Sequence, residues 1–115
     1  MDKVILVLKV LMNVFLLICI GVHIWGLMSP VTSEPVYSHV IHLVSYSVCL
    51  VSLTRPFLWA RVAYTIGAVY PFIYHARCVW EHYETYHRLS PVCILVVVLL
   101  PVGMLLIGYK EQAKA

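Results

Sequence analysis

Charge is what this sequence has least of. Only 11% of its 115 residues are charged, five acids against eight bases, where a soluble domain carries roughly 25%. A chain so poor in charge cannot cover a water-facing surface. Hydrophobic residues make up 63% of it and the mean hydropathy is +0.93. The expectation is an all-α integral membrane protein whose first partner is the lipid bilayer. The net charge is only +3 and the bases are scattered, which excludes a nucleic-acid surface.

Other absences narrow the chemistry. There is no CxxC among the four cysteines, so the common dithiol and zinc-ribbon motifs are missing. No internal repeat or low-complexity segment is present, which in so short a chain argues against a transporter built of two related halves. No nucleophile–base arrangement or pair of acids marks a hydrolytic site. Carboxylates are few in the apolar part, so calcium and magnesium, which require oxygen ligands, are poorly served.

What is present is a succession of apolar runs. The first extends from Val4 to Met28, broken only by Lys9, Asn13 and His23. It exceeds the roughly 20 residues needed to span a bilayer, and no small-x-small cleavage site follows it, so a retained helix is expected. Ser29-Pro30 ends it, and a short loop runs to Pro35. The second run covers residues 36–54, opened by Glu34-Pro35 and closed by Arg55-Pro56. An acid near the first turn and a proline where its missing N–H costs nothing suit a helix start. The third covers residues 57–88, with Gly67 and Pro71 inside; its polar end is supported by the i,i+4 pairs Arg77–Glu81 and Glu84–Arg88. Ser90-Pro91 is a stop and a new start, with Ser90 as N-cap. The fourth covers residues 91–109, before a polar tail expected to fray. Four spans with short loops predict a four-transmembrane-helix, up-down-up-down bundle over residues 1–115, one domain.

Lysine and arginine mark the cytoplasmic side of a membrane protein. Lys3, Lys9, Arg55, Arg61, Lys110 and Lys114 fall on one side of this bundle, and only Arg77 and Arg88 on the other. The expected topology is N-in, C-in, with a bacterial inner membrane as the expected location. All six histidines then gather at the non-cytoplasmic end: His23, His39, His42, His75, His82 and, in the loop beyond, His87.

Steps of three and four along a helix stay on one face. On the third helix they trace Arg61, Tyr64, Ala68, Pro71, His75, Cys78 and His82; on the second, His39, His42, Tyr46, Cys49 and Ser52; on the first, Lys9, Asn13, Leu16, Ile20 and His23. Polar side chains in a span turn toward the bundle interior. These three seams are therefore expected to face one another, with Asn13 as an interhelical hydrogen-bonder. Their outer ends would bring His23, His39, His42, His75, Cys78 and His82 together. Imidazole and thiolate select zinc, copper or iron. A b-type haem would need one histidine from each of two helices, with His23 or His42 opposite His75. Trp25, Tyr46, Tyr74 and Trp80 are the expected walls, and Tyr46, Tyr74, Arg77 and Glu81 (with Glu84) the expected supporting groups.

The plainer alternative is that these histidines bond to tyrosine, serine and backbone at the headgroup level. Cys78 and Cys93 could form a disulfide on an oxidising side, or all four cysteines could be small buried hydrophobes. Three functions follow: a metal- or haem-binding protein for redox or metal handling; an accessory subunit, or a homo-oligomer, using the apolar fourth helix with Gly103 and Gly108; or an enzyme on a lipid or quinone at the interface, with Arg77 holding a phosphate or carboxylate.

Overall fold

The structure, a computed structural model, describes residues 2–29, 34–55 and 58–114, with side chains from Lys3 to Ile107. It has four α-helices and, among the described residues, no strand: α1 (Asp2–Met28), α2 (Val36–Thr54), α3 (Ala60–Tyr86) and α4 (Pro91–Lys114). The expected start of the third helix at Phe57 lies outside the described residues, as do Pro30 and Pro56. The fourth helix is longer than expected. It continues through Gly108 and the polar tail to Lys114, because Lys, Glu, Gln and Ala are good helix formers once a helix is nucleated.

The punctuation residues act as their chemistry dictates. Pro35 holds φ −63° and ψ 153° and its carbonyl accepts from the Ser38 N–H at 3.0 Å, opening α2. The Arg55 N–H closes that helix on the Val51 carbonyl at 2.9 Å. His87 ends α3 in the left-handed conformation, φ 53°, its N–H donating to the Tyr83 carbonyl at 2.8 Å. Ser90 caps α4: its carbonyl accepts from Ile94 at 3.1 Å and its hydroxyl from the Cys93 N–H at 3.5 Å.

Helices adjacent in sequence are adjacent in space. α2 and α3 run antiparallel, since the Cys49 thiol meets the Tyr64 carbonyl near one end and Ser38 meets Tyr70 near the other. Gly67 makes this approach close: a Cβ there would stand 3.1 Å from the Ser45 carbonyl oxygen and 3.0 Å from Val48 Cγ1. α3 and α4 are tied by the Tyr64 hydroxyl, which donates to the Leu100 carbonyl at 2.7 Å. α1 packs on α2 and touches α4 but makes no direct packing with α3. This corrects the expectation of three mutually facing seams; α2 stands between the other two.

The distribution of polarity is inside-out. The interior holds His23, Ser38, His39, His42, Ser45 and Ser52 beside Tyr46, Cys49 and Tyr64. The outside carries Leu6, Leu11, Leu17, Ile18, Ile66 and Leu105, each more than half exposed. Two helices, over Lys3–Met28 and Val36–Thr54, are long and apolar enough to cross a membrane; the apolar stretch Pro91–Ile107 is shorter. Asn13 does not make the expected interhelical bond: its Oδ1 is buried without a partner. The buried seam of α1 runs instead through Met12, Leu16, Cys19, His23 and Gly26.

Candidate metal centre

The histidines converge because three helix ends meet. His23 lies in the last turns of α1, His39 and His42 in the first turns of α2, and His75 one turn beyond Pro71 on α3. Between the first two helices sits Glu34, the residue before the proline that opens α2. Its Oε2 lies 2.6 Å from Nδ1 of His39 and 3.2 Å from Nδ1 of His23, and those two nitrogens are 2.8 Å apart. Its Oε1 lies 3.5 Å from Nδ1 of His42. The carboxylate is almost enclosed, with its side chain 12% exposed.

These distances are those of atoms aimed at one point. Oε2 of Glu34 is buried and makes no aligned hydrogen bond, although two imidazole nitrogens stand beside it. With the two Nδ1 atoms 2.8 Å apart, one of them must present its lone pair to the other, so one proton serves three lone-pair-bearing atoms. A cation satisfies all three. Ligands of a tetrahedral ion bound at 2.0–2.1 Å stand roughly 3.3 Å apart, so admitting one requires the sides of the triangle to open by about 0.1 to 0.7 Å.

His42 stacks on His23, with ring centres 4.2 Å apart and 6° between the planes. Its Nδ1 donates to the Ser38 carbonyl at 2.9 Å, which leaves Nε2 as the lone-pair nitrogen; that atom is buried with no partner. A ring nitrogen fixed on a backbone carbonyl, with the other free, is the arrangement of a ligating histidine. His75 is held the same way, Nδ1 donating to the Pro71 carbonyl at 2.7 Å, and meets His42 edge-on with centres 5.4 Å apart. His23, Glu34 and His42 form a cluster that could hold a metal ion, their ligand atoms lying within 4.8 Å of one another; His39 adjoins it directly.

The aromatic surround is partly the expected one. Tyr46 stacks on both His23 and His42, and Tyr74 meets His42 edge-on at 4.8 Å while its hydroxyl reaches the Glu34 carboxylate. Trp25 and Trp80 instead point outward, both more than 60% exposed. Arg77 and Glu81 pair with each other at 3.2 Å on the surface and do not reach the cluster. Cys78 and His82 are also separated from it. They line a groove of about 370 Å³ against the start of α4, with Glu81, Thr85, Ser90 and Cys93. The reason is geometric. A strict alternation of three and four assumes 3.5 residues per turn, and on a 3.6-residue helix it drifts by about 20° per heptad. By Cys78 the face has turned from α2 toward α4.

No protein family, curated protein or solved structure matches the chain. The site must therefore be read from its own atoms. Three of them were not singled out by the sequence pattern. Glu34 read as a helix-start acid; its signal is that it is the only carboxylate between Asp2 and Glu81 and falls between His23 and His39. Ser38 and Tyr70, whose hydroxyls are 3.0 Å apart, flank His42 and carried no motif.

Proposed function

We propose that this chain is a four-helix integral membrane protein that binds a transition-metal ion through His23, Glu34 and His42, with His39 and His75 beside them, for redox or metal handling. The observation that carries the reading is the Glu34 Oε2 atom: buried, without an aligned hydrogen bond, and between two imidazole nitrogens at 2.6 and 3.2 Å. The membrane assignment rests on the apolar exterior around a polar interior, since a water-soluble bundle has the opposite arrangement. α3, with 27 residues, is about 40 Å long, longer than a hydrocarbon core of about 30 Å, so its polar end projects beyond the lipid. The excess of basic residues at the opposite end supports an N-in, C-in chain in a cytoplasmic membrane with the site on the outer side.

An imidazole-rich set with one carboxylate suits iron, zinc or copper. A compact ion is favoured over haem. Axial histidines must stand on opposite faces of the macrocycle, whereas His23 and His42 stack directly on each other and Tyr46, Tyr70 and Tyr74 pack around them.

Elemental analysis of the protein purified in mild detergent tests this. The expected result is stoichiometric iron, zinc or copper, no Soret band, and loss of the metal in Glu34→Gln with helicity retained. A folded protein that arrives metal-free and takes up none of the three ions overturns it.

A further inference from the structure

A second cavity lies against the centre on the α2–α3 side. It encloses about 220 Å³ and is half open to the outside. Its polar floor is the hydroxyl pair Ser38–Tyr70, 3.0 Å apart. Tyr37 and Tyr74 form aromatic walls, Ile73 an apolar one, and Arg77 stands at the mouth. We infer that this cavity is a binding site for the ring of a quinone or quinol, placed one layer of side chains from the metal centre; the inference rests on the metal-binding reading above.

Four observations select that occupant. The volume accommodates one substituted six-membered ring and not an acyl chain. The walls are aromatic, and offset or edge contact with a planar ring favours such a guest. The floor offers neutral hydroxyls, which both donate and accept, and so match an oxo group or a hydroxyl equally. The cation at the mouth is already paired, Arg77 to Glu81 at 3.2 Å, and its side chain is 78% exposed. It therefore provides no buried charge to hold a phosphate. The opening lies beside Ile73 and Tyr37, both more than half exposed on the apolar exterior, so a lipid-dissolved ring reaches it from the side.

The cavity is also joined to the ligands. Ser38 supplies the carbonyl that fixes His42 Nδ1, and its hydroxyl stands 3.5 Å from the same nitrogen. Tyr70 and Tyr74 meet the His42 ring edge-on, with centres 5.1 and 4.8 Å away. Tyr74 reaches Glu34 as well. A ring on this floor contacts side chains that in turn touch the ligands of the ion.

The test is equilibrium binding of a short-chain benzoquinone to the full-length protein in detergent, with empty micelles as the blank. Saturable one-to-one binding is expected. Tyr70→Phe, which removes one hydroxyl, should weaken it about tenfold, and Ile73→Trp, which fills the cavity from its exposed wall, should abolish it. Both variants should keep their metal. Uptake no greater than in empty micelles, or unchanged binding by Ile73→Trp, overturns the proposal. So does competition by inorganic phosphate that vanishes in Arg77→Leu, since that would make the cavity an anion site. The two readings fail separately: metal retained without quinone binding sinks the cavity, and saturable quinone binding by a protein that takes up no metal sinks the metal centre.

Discussion

The imidazole of His39 rests against the backbone of Gly26 on the neighbouring helix. A Cβ at position 26 would meet His39 Nε2 at 2.8 Å and Nδ1 at 2.9 Å, and Cε1 closer still. The glycine is the space in which the ring sits, and the ring is what places Nδ1 beside Glu34 and His23.

Gly26→Ala should therefore displace His39, one of the nitrogens beside the ion, without substituting His23, Glu34 or His42. Metal affinity is expected to fall about 10- to 100-fold, the usual cost of disturbing a group beside a metal's ligands. The overpacking cost of about 1–3 kcal/mol is partly offset by the roughly 1 kcal/mol gain of Ala over Gly in a helix. Metal titration followed by thermal unfolding reads both effects.

The Tyr64 hydroxyl and the Leu100 carbonyl provide the converse control. Tyr64→Phe removes the hydrogen bond that ties α3 to the Leu100 carbonyl, at a cost of about 0.5–1.5 kcal/mol. Gly103→Ala should act on the same contact, because a Cβ there collides with the Tyr64 hydroxyl. Both variants should lower the unfolding midpoint and leave the metal-to-protein ratio unchanged. A fall in that ratio would show that the site depends on the α3–α4 contact.

Bound metal should be lost as pH falls. The ligand forms are neutral imidazole and ionised carboxylate, so protons compete for the same lone pairs. The competing groups around the ion are His23, His39, His42, His75 and Glu34, with Tyr74 donating to the carboxylate. Release is expected on acidification, as protons take the imidazole lone pairs and the carboxylate oxygens from the ion. Dialysis at stepped pH with metal analysis measures it. Metal retained undiminished at pH 4 would contradict this ligand set.

Cys78 and Cys93 are free thiols facing each other across α3 and α4. A mild oxidant should join them, giving a species lighter by two hydrogens that reductant restores. The chain-entropy account gives about 3 kcal/mol of stabilisation for a loop of this length, read as a raised unfolding midpoint. Metal content should not change, since the pair lies on the α4 side, away from the histidine cluster.

How far the sequence revealed this arrangement differs from helix to helix. On α2 the seam His39, His42, Tyr46, Cys49 and Ser52 is buried throughout, and Ser38, Ser45 and Leu53 widen the buried face. That helix is packed on two sides, so its polar stripe had only one place to go. On α1, Leu16 and His23 are buried, but the seam passes through Met12 and Cys19 in place of Asn13 and Ile20. α1 has one principal neighbour, and a helix with so little buried surface is weakly constrained in rotation. On α3, Tyr64 and Pro71 are buried and His75 half-buried, while Cys78 and His82 turn toward α4. Glu34 escaped because periodicity describes helices and Glu34 belongs to none; it stands beside His23 from its seat just ahead of α2.

The seat of Glu34 ahead of α2 has a consequence for assembly. The donors closest to one another come from the end of α1, the connection after it and the start of α2, a continuous stretch from His23 to His42. α1 is more open to its surroundings than α2, which buries far more of its length. An ion at Glu34 would act as a clasp on the α1–α2 hairpin, closing before α3 and α4 have emerged during synthesis. Metal supply would then govern how firmly the first helix is docked, and its loss would free α1 before any other part of the bundle.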